Sequence, residues 1–100
     1  PGAVQVSAAR TAVHVVVEGR VQGVGFRAWV EREAKTRNLA GWVRNRADGS
    51  VEAVFAGDAA LVRNMVEACH RGPRLASVRA VETAIHPDQD WTGFAVWPTE

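Results

Sequence analysis

The chemistry of this 100-residue chain concentrates in nine consecutive residues, Gly19-Arg20-Val21-Gln22-Gly23-Val24-Gly25-Phe26-Arg27. A glycine-rich turn between a strand and a helix leaves backbone N–H groups unpaired and aims them at one point. The N-terminus of the following helix adds its own unpaired N–H groups and the positive end of its dipole. Arg27, in the first turn of that helix, brings a guanidinium whose planar fork matches two phosphate oxygens. Together these features describe a small anion cradle best suited to phosphate. The glycines could also serve only a tight connection, since short glycine motifs recur without function. Arg27 and a second motif downstream favour the cradle.

The elements that must position this loop follow from the pattern of apolar residues. Val13, Val15 and Val17 alternate with His14 and Glu18, which predicts a strand over Ala12–Glu18. From Phe26 the period changes. Phe26, Trp29, Val30 and Ala34 fall at helical spacing with Glu31, Arg32, Lys35 and Thr36 on the other side, predicting a helix over Arg27–Asn38. Gly41–Arg46 is strand-like, and Asp48-Gly49 supplies a tight hairpin turn into a strand over Val51–Ala56. Asp58 is a good N-cap for a second helix whose apolar stripe is Val62, Met65, Val66 and Cys69, and Gly72-Pro73 stops it. Val78–Ile85 and Gly93–Trp97 are the last strands, separated by a polar loop over Pro87–Asp90.

The order βαββαβ with a short extra strand predicts an α+β ferredoxin-like sandwich, an antiparallel sheet of four to five strands with two helices on one face. In that topology the first and second strands run in the same direction with the third between them. Their C-terminal ends therefore share one edge of the sheet, about 10 Å apart at ~4.8 Å per strand step. That brings the loop after strand one close to Asn45. Asn45 points to the same side as Val43, opposite Trp42 and Arg44. If Val43 faces the helices, Asn45 looks toward the N-terminus of helix one, where the cradle opens.

Bulk properties narrow the function classes. One hundred residues with 47% apolar content make one domain with a modest core. Residues 1–10 read as a flexible N-terminal arm and 11–100 as the domain. No apolar run approaches a membrane span and no secretory leader pattern is present, so the chain reads as soluble, without a membrane partner. The single cysteine, Cys69, forms no disulfide within the chain and no Cys-x-x-Cys metal site, which fits a reducing, cytoplasmic compartment. A net charge of +1 is too mild to argue for a nucleic-acid partner.

The sequence resembles the acylphosphatases. The resemblance is carried by Gly19–Arg27, by Gly41-Trp42-Val43-Arg44-Asn45 followed by Asp48-Gly49-Ser50-Val51-Glu52, and more weakly by Gly72-Pro73 through Ala76 and Val78. It spans roughly residues 12 to 97. It implies a monomeric, cofactor-free and metal-independent hydrolase that cleaves carboxyl-phosphate anhydrides to a carboxylate and phosphate. By that resemblance Arg27 binds the phosphate and Asn45 orients the attacking water. The loop amides of Gln22, Gly23, Val24, Gly25 and Phe26 fall where the family's cradle lies. The final strand, Phe94-Ala95-Val96-Trp97, departs from the family by lacking a basic residue after its aromatic-x-aliphatic ending, which touches only edge packing.

Two side chains could suffice for this chemistry. A carboxylate leaves readily and needs no general acid, so positioning and electrostatic stabilisation carry most of the work. His14, His70 and His86 lie on three different elements, and Cys69 falls on a core stripe, so neither set suggests a metal site or a nucleophile. Arg20, Arg44 and Arg46 could steer anions or simply be solvated. Trp29 and Trp42 read first as packing residues. Two other classes stay open. One is a non-hydrolytic or carbamoyl-phosphate-handling module, like the acylphosphatase-like domain of hydrogenase-maturation carbamoyltransferases. The other is an RNA-binding ferredoxin-like domain, which would need exposed aromatics on its central strands, where strand three offers only Phe55.

Overall fold

The computed structural model describes residues 9–87 and 91–100. The chain runs β1 (Arg10–Arg20), α1 (Phe26–Thr36), β2 (Ala40–Asn45), β3 (Val51–Asp58), α2 (Ala59–Cys69), β4 (Ser77–Ile85) and β5 (Phe94–Val96). One sheet contains all five strands in the order β4-β1-β3-β2-β5. Within the expected arm, Arg10 already belongs to β1, paired with Asp58 of β3. Residues 1–8 of that arm, and Asp88–Asp90 of the expected loop, lie outside the described residues.

The register sorts side chains between the two faces. Val13, Val15 and Val17 of β1 lie opposite Phe55, Ala53 and Val51 of β3, and Val43 of β2 lies opposite Ala53. These residues pack in one core with Phe26, Val30 and Ala34 of α1 and Val62, Met65 and Cys69 of α2. Both helices therefore cover the same face, each through the apolar stripe its spacing encodes. Each fully buried Val, Phe or Met side chain contributes roughly 1.5–3 kcal/mol of transfer free energy. Phe55 is fully buried in this core, so it is not available as a stacking platform for bases.

The sheet is mixed rather than antiparallel throughout. β5 pairs parallel with β2, whereas the other three pairings are antiparallel. β4 lies beside β1 at one edge of the sheet, and the returning chain pairs with β2 at the other. Reversing from β4 gives it the direction β2 already has. Phe94 and Phe55, the two cross-strand neighbours of Gly41, stack at 5.8 Å, and Gly41 itself (φ 130°) leaves no room for a Cβ, which would meet the Val54 carbonyl. Beyond β5, Trp97 and Glu100 donate backbone N–H groups to the carbonyls of Val43 and Asn45, so the terminal segment follows β2 to its end.

The helix-free face carries polar and aromatic contacts. Trp42 stacks on Trp97 with ring centroids 4.2 Å apart, and the Arg44 guanidinium lies over both rings. Arg44 Nε also donates to Glu52 at 2.9 Å, and His14 Nε2 lies 2.6 Å from the other Glu52 oxygen. Burial would raise the Glu52 pKa, but these bonds from His14 and Arg44 outweigh it and hold the carboxyl below its ordinary value.

Candidate active site

Of the nine-residue segment Gly19–Arg27, the first two residues end β1 and the last two begin α1; the loop between them is anchored from inside and open outside. Val21 and Phe26 are buried and Val24 packs against the core, while Gly23 and Gly25 are exposed. Gly23 (φ 74°) and Gly25 (φ 79°) are both left-handed, and a Cβ built on either would meet no atom within 4 Å. Glycine is thus required there by backbone conformation, and the space above it stays clear for a ligand. Gly25 is also the N-cap of α1, with no side chain capping the helix, and its carbonyl accepts from Trp29 N at 3.0 Å. Among the described residues, the N–H groups of Gln22, Gly23, Val24 and Gly25 donate to no protein acceptor. As the first residue of α1, Phe26 has no intrahelical acceptor for its N–H. These amides are thus without a protein acceptor among the described residues.

At the far end of α1, Asn38 adopts the left-handed conformation (φ 56°), and Asn38 N and Leu39 N donate to Lys35 and Ala34. This ends the helix and redirects the chain into β2. The parity of β2 then sends Val43 into the core and Asn45 to the same side. An open pocket of about 460 Å³ is lined by Gln22, Gly23, Gly25, Phe26, Arg27 and Asn45 together with Val21, Ala28, Glu31 and Val96. Of the residues expected at the site, only Val24 does not line it, because its side chain turns to the core.

Arg27 and Asn45 are half-buried, and neither side chain has a hydrogen bond or ion pair among the described residues. Glu31, one turn beyond Arg27, is held instead by Lys35 at 3.0 Å. The Arg27 guanidinium is therefore available to an anion. Its planar fork, the amides without acceptors and the helix N-terminus are groups suited to an anion, and Asn45 adds both a donor and an acceptor on the same pocket.

Gln22 does more than the sequence suggested. Its side-chain nitrogen donates to Arg46 O and Ser50 O, both at 2.8 Å, across to the β2–β3 hairpin. That hairpin is a three-residue turn, closed by Arg46 N donating to Ser50 O and by Asp48 accepting from Ser50 N and Oγ. The only sequence signal for this bridge is a glutamine in the loop, a long side chain with two amide hydrogens to place. Glu31 and Val96 were also missed as pocket walls; both follow from helical spacing after Arg27 and from the β2–β5 register.

Other candidates fall away from the pocket. Arg44 faces the opposite side of the sheet, and Arg20 and Arg46 do not line the pocket. His14 and His86 stack at 6.3 Å on the helix-free side, apart from His70 at the end of α2. Among the described residues no group of three or more His, Cys, Asp or Glu is placed to hold a metal. Cys69 is buried, and burial pushes its thiol up to about 12. Trp29 packs edge-on against Phe26.

Known proteins supply an independent comparison. The acylphosphatase family model matches residues 13–96. An acylphosphatase of Acidiphilium cryptum is 56% identical over 77 residues, covering 76% of this chain and 85% of its own. The structure of an acylphosphatase from Coxiella burnetii superposes with a TM-score of 0.85 at 36% identity, covering 88% of this chain and 93% of that one. A T. kodakarensis HypF structure matches at 31% identity with a TM-score of 0.79, covering 92% of this chain but 12% of the larger one. No helix among the described residues is long and apolar enough to cross a membrane. Matched along most of its length by the family model, and by relatives of its own size, this chain belongs to the acylphosphatase family.

Proposed function

We propose that the protein hydrolyses acyl phosphates at the pocket between the β1–α1 loop and the end of β2, with Arg27 and the loop amides holding the phosphoryl group and Asn45 orienting the water. The observation that carries the proposal is the convergence on one open pocket of Arg27, the loop amides and Asn45, none of them partnered among the described residues. The guanidinium takes two phosphoryl oxygens, each charge-assisted bond contributing roughly 1.5–3 kcal/mol. The amides of Gln22 to Phe26 take the remaining oxygens at no side-chain entropy cost. The Asn45 carbonyl accepts from water while its NH₂ group donates, which fixes the nucleophile in line with the scissile bond.

Water oxygen bonds to phosphorus as the bond from phosphorus to the acyl oxygen breaks, and the electron pair leaves with the carboxylate. The water proton passes to a non-bridging phosphate oxygen, giving carboxylate and inorganic phosphate. No side chain serves as base, and no metal or cofactor takes part. All of the participating groups come from one chain, so the mechanism is complete in a monomer; a lone buried thiol at Cys69 suits a cytoplasmic setting.

Phosphate release from benzoyl phosphate and from phenyl phosphate, measured in excess chelator, tests the proposal. Rapid release from the anhydride alone is expected. Equal hydrolysis of both compounds, or chelator-dependent loss restored by Mg²⁺ or Zn²⁺, would overturn it.

A further inference from the structure

We infer that the Gln22 side chain is a positioning residue that sets the separation between the phosphate-holding loop and the water-holding end of β2. The inference rests on the roles proposed for Arg27 and Asn45. The amides of Gln22 to Gly25 belong to the β1–α1 loop and Arg27 to the start of α1, whereas Asn45 ends β2, and the sheet joins them only through β3, where Val51 pairs with both Val17 and Asn45. Gln22 spans that gap. Its two amide hydrogens reach Arg46 O and Ser50 O, both at 2.8 Å. Arg46 directly follows Asn45, and Ser50 directly precedes Val51, the cross-strand partner of Asn45. Both rungs of the bridge are thus attached to the pair of residues immediately beyond Asn45.

The two carbonyls are otherwise half-used. Arg46 O also accepts from Gly49 N at 3.1 Å, and Ser50 O from Arg46 N at 2.9 Å, so Gln22 fills the second lone pair of each. Two carbonyl partners also fix which end of the amide faces them, since only the NH₂ group can donate to both. Gln22 lines the pocket as well, together with Asn45. A small error in the distance between a bound phosphoryl group and its nucleophile is costly in rate and nearly invisible to binding. Loss of the bridge therefore falls on turnover more than on phosphate affinity.

Gln22→Met keeps the length and removes both donors; Gln22→Glu keeps the shape but directs oxygen at two carbonyls. Each variant is compared with wild type in thermal stability, inorganic phosphate affinity by calorimetry, and kcat on benzoyl phosphate. Expected is a phosphate Kd within about threefold of wild type and a kcat lower by about tenfold or more. In an Asn45→Ala background the same Gln22→Met change should cost less than about twofold in kcat, because Gln22 acts through the placement of Asn45. An equal loss of kcat in both backgrounds, or a Kd that rises as much as kcat falls, would overturn the inference. NMR supplies a readout independent of turnover. Phosphate should shift the Asn45 side-chain amide signals in wild type and fail to do so in Gln22→Met; an unchanged response in the variant would overturn the inference. A wild type that binds phosphate but hydrolyses no acyl phosphate would refute the hydrolase proposal alone, leaving the NMR comparison to decide the role of Gln22.

Discussion

Replacing Asn45 with alanine separates water positioning from every structural role the residue could have. An asparagine ending a strand beside a tight turn often caps that turn through its side chain, and losing such a bond costs roughly 1 kcal/mol of stability. Here the turn is capped otherwise: Asp48 accepts from Ser50 N and Oγ, and Gln22 donates to Arg46 O and Ser50 O. Among the described residues the Asn45 side chain has no partner to lose, while its backbone carbonyl, retained in alanine, accepts from Glu100 N. Asn45→Ala should therefore change stability by less than about 0.5 kcal/mol, within the range of an unremarked surface substitution. Phosphate affinity should stay within about threefold, because Arg27 and the amides remain. Turnover should fall by a factor of ~10² or more, equivalent to about 2.7 kcal/mol of transition-state stabilisation, the scale of one preorganised polar contact at a reacting centre. Thermal melts, phosphate calorimetry and kcat on benzoyl phosphate, all from one preparation, measure the three quantities. A variant destabilised by 1 kcal/mol or more yet fully active would refute the reasoning and return Asn45 to a structural part.

Gly23→Ala, Gly25→Ala and Gly49→Ala each place a side chain on a left-handed residue with open space around it, so all three should lose a similar roughly 1–2 kcal/mol of stability. Only the first two should weaken phosphate binding in calorimetry; equal affinity across the set would reduce the loop to a connector. Glu52 has its carboxyl pKa depressed in the folded state, so its contribution to stability is present above the ordinary value of 4.5 and is lost as pH falls through the folded value. In urea melts wild type should exceed Glu52→Gln at pH 7, and the gap should close on acidification through the carboxylate range; a gap that does not vary with pH would contradict the assignment.

Much of the fold was legible because local signals agreed with global ones. The 2.0 and 3.6 periods, the Asp58 N-cap and the Asp48-Gly49 turn all point to the elements found, and the parity of β2 placed Asn45 beside the cradle. The start of α1 was less clear, since its N-cap is a left-handed glycine and no Ser, Thr, Asp or Asn marks it. The parallel pairing of β5 was missed because three residues of strand say nothing about which edge is free; that depends on where β4 has already docked. Trp97 was legible as apolar, but its stack on Trp42 under Arg44 needs the register of β5 on β2. Gln22 was read for its backbone amide, and its side-chain bridge stayed hidden because its acceptors, Arg46 and Ser50, lie 24 and 28 residues away.

The central claim, that a guanidinium fork and an amide cradle together hold the phosphoryl group, is tested most directly by Arg27→Lys. Lysine keeps the charge at the first turn of α1 but offers a point where the arginine offers two parallel donors. The initial rate of phosphate release from benzoyl phosphate, measured for wild type and Arg27→Lys at equal concentration of folded protein, should differ by at least about 10²-fold. A lysine variant that keeps most of the wild-type rate would contradict the account.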